Sequence, residues 1–86
     1  MKHYAQFYVK RRTWDHREKQ FVGPLQMHEA LGSYGIIALD GRMKLETMMD
    51  VAERTCRIRR FSGYRIFQCN SLRDEPKFLN SVVQEI

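Results

Sequence analysis

The sequence predicts an α+β fold: one small two-layer domain with a three- or four-stranded mixed sheet and two or three helices packed mainly on one face. Three observations lead there. Eighty-six residues suffice for one thin core and no more. Residues 3–13 and 64–69 alternate in the period-two manner of strands, and between them residues 45–56 carry a period-3.6 apolar stripe. Hydrophobic content of 43% with 29% charged residues lies in the range of a folded globular chain.

The first strand sets Ala5, Phe7 and Val9 on one face and Tyr4, Gln6, Tyr8 and Lys10 on the other. The polar cluster Asp15-His16-Arg17-Glu18 predicts a turn, and Gln20-Phe21-Val22 a short return strand closed by Gly23-Pro24. Pro24 suits the first turn of a helix, and Met27, Ala30, Leu31 and Tyr34 recur at helical spacing before Gly32 offers a stop. An extended alternative exists there, because Leu25, Met27 and Leu31 share parity. The apolar run at Tyr34 to Leu39, with two isoleucines, predicts a central strand ended by Asp40-Gly41.

The most regular element follows. Leu45, Met48, Met49, Ala52 and Cys56 form a narrow helical stripe, and Asp50–Arg54 and Glu53–Arg57 are acid-first i,i+4 pairs on the opposite face. Ser62-Gly63 breaks the pattern before a strand over Tyr64 to Cys69. Strand, helix and strand in this order suggest a right-handed crossover between parallel strands. Asp74, Glu75 and Pro76 then read as a helix start, with Phe78, Leu79, Val82, Val83 and Ile86 on one face. The β-branched pair Val82-Val83 leaves a final strand as the alternative.

Net charge is +5, and its distribution is uneven. Residues 1–19 sum to +4 and residues 54–65 to +5, whereas 20–53 sum to −3 and 66–86 to −1. The cations of the second basic segment are Arg54, Arg57, Arg59, Arg60 and Arg65. Arg54 and Arg57 have acidic neighbours one turn back and a favourable place near a helix C-terminus. Arg59, Arg60 and Arg65 have no such account, and guanidinium groups are suited to phosphate. The first segment places Lys10, Arg11, Arg12 and Arg17 around Trp14, with Tyr4 and Tyr8 on the strand face away from the core. Aromatics beside cations on a sheet stack unpaired bases while the cations hold the backbone. The glycine-rich signatures of sheet-based RNA-binding modules are missing. As a purely structural role, the tyrosines would cover the sheet and the cations would blunt its edge.

Other chemistries find little footing. His3, His16 and His28 lie in no metal-ligand spacing and read as surface residues. Cys56 and Cys69, 13 apart, read as reduced core thiols. No phosphate-cradling glycine loop is present, so no cofactor and no metal are expected. No apolar run spans a bilayer, and Lys2, His3 and Tyr4 after Met1 begin no apolar leader core, so the expected setting is cytoplasmic, away from membranes. The resulting expectation is a non-enzymatic binding module, monomeric or homodimeric, whose arginine-rich face engages nucleic acid or a nucleic-acid-handling complex. The alternatives are an inhibitor or regulator docking on an acidic protein surface, and a small toxin-like ribonuclease using His28, Tyr64, Arg59 and Arg65.

Overall fold

The computed structural model describes the backbone of residues 2–83 and the side chains of residues 2–80. Its organising element is β1, Lys2–Asp15, a 14-residue strand against which three others pair. The strand β2, Gln20–Glu29, lies antiparallel to its outer half, from Tyr8 to Asp15. The short β3, Ile36–Leu39, lies antiparallel to its inner half, from His3 to Gln6. The Phe7 amide donates to Gly35 O and the Phe7 carbonyl accepts from Ala30 N–H, each at 2.9 Å. Both groups of Phe7 therefore face the same edge, and β2 and β3 act as one edge strand interrupted by the loop 30–35. On the other edge of β1 lies β4, Gly63–Cys69, followed outward by β5, Lys77–Val83. Every pairing is antiparallel.

The single helix among the described residues, α1, Leu45–Arg59, packs on one face of this sheet. Strand alternation sends Ala5 and Phe7 of β1 and Tyr64 and Ile66 of β4 to that face, where they meet Met48, Ala52 and Leu39. Ala5, Phe7, Ala52, Tyr64 and Ile66 are essentially inaccessible to solvent. The α1 stripe read from the sequence is the one that packs, except that Leu45 is 39% exposed at the helix start. Arg60 closes the helix in the left-handed conformation (φ 59°, ψ 39°).

The expected two or three helices on a three- or four-stranded mixed sheet are therefore corrected to one helix on five antiparallel strands. The segment 24–34 is no helix: Gln20 to Glu29 stays extended. Gly23 (φ 81°) and Pro24 do not close that strand but sit in a bulge, where residues 23–25 oppose Arg12 alone. Ladder bonds to β1, distant in sequence, outweigh the local helical spacing. The C-terminal segment is likewise β5 instead of a helix. Asp74 donates its amide to Ser71 O in a turn, and Phe78 pairs with Phe67. The position expected for Ile86 lies outside the described residues. The crossover also changes: β3 and β4 do run in the same direction, but each pairs with β1, which lies between them.

Beyond Tyr8, β1 has only β2 beside it among the described residues. The pair leaves the body as a two-stranded arm, and the molecule measures 47 × 27 × 21 Å. Asp15 builds the arm's turn, its Oδ1 accepting the amides of Arg17 (2.9 Å) and Glu18 (3.2 Å), and Lys19 takes a positive φ of 53°.

Candidate nucleic-acid interface

One face of the sheet carries α1. The other carries no element among the described residues, and it is here that Tyr4, Tyr8, Phe67 and Phe78 lie. Register sets Tyr4 opposite Phe67, Gln6 opposite Arg65 and Tyr8 opposite Gly63. The Tyr4 and Phe67 rings stack with centroids 5.5 Å apart and planes at 26°. Phe78 of β5 meets Phe67 edge-on at 6.0 Å. The Arg65 guanidinium lies near the rings of Tyr8 and Phe78, its Cζ 5.2 Å from the Tyr8 centroid and 5.5 Å from that of Phe78. Tyr8 donates its hydroxyl to Gln6 Oε1 at 3.2 Å. Burial raises the Tyr8 hydroxyl above its ordinary pKa of 10.0, with the Arg65 charge opposing that shift.

These rings form a graded platform. Phe67 is 5% exposed and serves as its floor, Tyr4 and Tyr8 are half-buried, and Phe78 is 50% exposed at its margin. Arg65 Nε is buried with no hydrogen-bond partner among the described residues. Such a donor is costly to leave unmade, by about 1–3 kcal/mol.

Because β1 carries no insertion of its own, its alternation continues into the arm. Tyr4, Gln6, Tyr8, Lys10, Arg12 and Trp14 all face the helix-free side, along about 33 Å of strand. Trp14 packs edge-on against its cross-strand partner Phe21 at 4.9 Å, and both rings are exposed, 39% and 55%. Arg11 points to the opposite face of the arm, and Arg17 sits in its turn.

Arg54, Arg57, Arg59 and Arg60 lie on the helix layer of the molecule, so of the second basic segment only Arg65 shares a face with the first. At the arm's root the Ser62 amide, two residues after Arg60, donates to Tyr8 O at 2.7 Å. The partners of the helix arginines also differ from those the sequence suggested. Among the described residues Arg54 and Arg57 form no ion pair, whereas Arg42 pairs with Asp40 at 3.1 Å and holds the Asp40 carboxyl below its usual range. Glu53 instead accepts from the Tyr64 hydroxyl at 3.3 Å. Arg59 covers the Tyr34 ring, with Cζ 3.5 Å from its centroid. Arg57 and Arg60 line an open cleft of about 410 Å³ with Glu53, Cys56, Phe61 and Tyr64.

The four residues considered for ribonuclease chemistry do not converge. Tyr64 is buried under α1, Arg65 faces the opposite side of the sheet, Arg59 covers Tyr34, and His28 lies in β2 with a buried, unpartnered Nε2. His3 and His28 are half-buried, contrary to the expected surface placement; only His16 is exposed. Both cysteines are free thiols, and burial beside Glu53 raises the Cys56 pKa. No group of three or more metal-binding side chains occurs among the described residues. None of their helices is long and apolar enough to cross a membrane.

Phe67 and Phe78 are the platform residues that sequence reading missed. The alternation of β4 puts Phe67 opposite Ile66, which was legible; that it stacks on Tyr4 depends on a register between distant segments. Phe78 was assigned to a helix face. Comparison with protein-family models, curated proteins and solved structures finds no match to this chain.

Proposed function

We propose that the protein is a small, non-enzymatic module that binds single-stranded nucleic acid on the helix-free face of its sheet. The observation that carries this reading is the ring series Tyr4, Phe67 and Phe78, with the Arg65 guanidinium near Tyr8 and Phe78. Unpaired bases stack on half-exposed rings with little regard to sequence, and the Arg65 guanidinium among those rings favours a phosphate. Lys10 and Arg12 continue the same face, where they neutralise backbone charge. The net charge of +5 favours a polyanion at long range, including through Arg54, Arg57 and Arg60, which in this reading steer the ligand and do not contact it. An acidic protein surface would match the charges but gives the ring series no role beyond apolar contact.

The test is affinity for a short single-stranded oligonucleotide. Tyr8→Leu and Phe78→Leu keep apolar bulk but remove ring faces, and stacking of one base contributes about 1–3 kcal/mol. Each variant should lose about tenfold or more in affinity. Arg57→Ala should change affinity little, since Arg57 lies on the helix layer. Unchanged binding by both leucine variants would refute the platform.

A further inference from the structure

The arm holds charge that a single strand on the platform cannot use. Lys10, Arg12 and Trp14 share the platform's face, but Arg11 faces the other way, and Arg17 and Lys19 occupy the turn. The segment from Lys10 to Lys19 carries five cations against Asp15 and Glu18, and Asp15 is engaged in capping its own turn. One strand of nucleic acid runs along one face of a ribbon. A ribbon charged on both faces and at its tip suits a groove, whose two walls present phosphates to both sides.

The dimensions agree. From Val9 to Asp15 the arm is about 20 Å long, and its two strands lie about 4.8 Å apart before side chains are added. The major groove of B-form DNA, about 12 Å wide and 8.5 Å deep, admits a two-stranded ribbon, whereas the deep, narrow major groove of A-form RNA excludes side chains. The arm is also continuous with the platform through β1, so both parts act on one ligand. At the far end, Trp14 and Phe21 pack edge-on and remain exposed, 39% and 55%.

We infer that the ligand is DNA at a junction between duplex and single strand: the platform takes the unpaired strand and the arm enters the major groove of the adjoining duplex. This inference rests on the platform reading but can fail separately from it.

The experiment compares, by fluorescence anisotropy, four labelled probes: a DNA single strand of about 10 nucleotides, within the range such surfaces cover, a DNA duplex, the two joined as a junction, and the same junction in RNA. The DNA junction should bind at least about tenfold tighter than single strand or duplex, and the RNA junction should show no such gain over its own single strand. Arg11→Gln combined with Arg17→Gln, both at positions outside the core, should bring the junction down to the single-strand level and leave single-strand affinity unchanged. The salt dependence of junction binding should flatten in this variant by about 1.8 in log–log slope, from the two lost phosphate contacts. Equal binding of junction and single strand, an equal gain for RNA, or equal loss by the variant on both DNA probes would overturn the inference. Binding of neither DNA would overturn it together with the platform, and duplex binding alone would leave the arm without its platform and refute the junction.

Discussion

Arg60 occupies a position that glycine ordinarily fills. It follows the last turn of α1 with φ 59° and ψ 39°, and the Arg60 and Phe61 amides both reach Cys56 O. A residue with a Cβ costs about 1–2 kcal/mol in this conformation, whereas glycine forfeits about 0.5–1 kcal/mol through the greater freedom it loses on folding. Comparing Arg60→Gly with Arg60→Ala cancels the loss of the cation near the helix end. Glycine should then be the more stable variant by about 0.5–1 kcal/mol, which in a domain of this size is about 2–8 °C in Tm. Thermal unfolding followed by circular dichroism measures it. An alanine variant as stable as glycine would show that the left-handed cap carries no strain, and that the arginine is no compromise of stability for charge at the cleft.

Three further outcomes follow from the same structure. Gly35→Ala should destabilise the fold by about 1–3 kcal/mol, because Gly35 is buried and a Cβ there overlaps the Ala30 carbonyl; denaturant unfolding with an unchanged midpoint would refute the placement of that loop. The Tyr64 hydroxyl, buried against Glu53, has its pKa pushed up from 10.0 to about 12. The folded state therefore holds this proton more tightly than the unfolded chain, and the associated stability, full below pH 10, is lost as pH rises toward 12. Tyr64→Phe should flatten that alkaline decline, and parallel pH profiles for the two proteins would contradict it. Arg59→Ala should lose the stacking on Tyr34, about 0.5–1 kcal/mol at this exposed site, with no effect on oligonucleotide affinity; a loss of affinity would move the interface to the helix layer.

What the sequence disclosed divides along the range of the interactions involved. The α1 stripe from Met48 to Cys56, the Asp15 turn and the alternation of β1 are local patterns, and each appears where its periodicity placed it. Residues 24–34 and 74–83 carried local signals for helix, Pro24 with Met27, Ala30 and Leu31, and Asp74 with Pro76. Ladders to β1 and β4, contributed by residues tens of positions away, override both. The candidate site divides similarly. Tyr4, Gln6, Tyr8 and Lys10 were legible as one strand face, but the continuation of that face through Arg12 and Trp14 and the ring series need the length of β1 and the registers of Tyr4 with Phe67 and of Phe67 with Phe78. The arginine pairs mislead for a simpler reason. Glu53 is within one helical turn of Arg57, yet Tyr64, brought beneath the helix by β4, is the group it bonds.

The central claim is that ligand lies on the face of the sheet away from α1. A titration of the isotopically labelled protein with a single-stranded oligonucleotide, followed by nuclear magnetic resonance, tests it residue by residue. The account predicts shifts at Tyr4, Tyr8, Arg65 and Phe78 and along Lys10 to Trp14, with Arg54 and Arg57 little changed. Shifts confined to Arg54, Arg57 and the cleft beside Arg60, with the ring series silent, would contradict it.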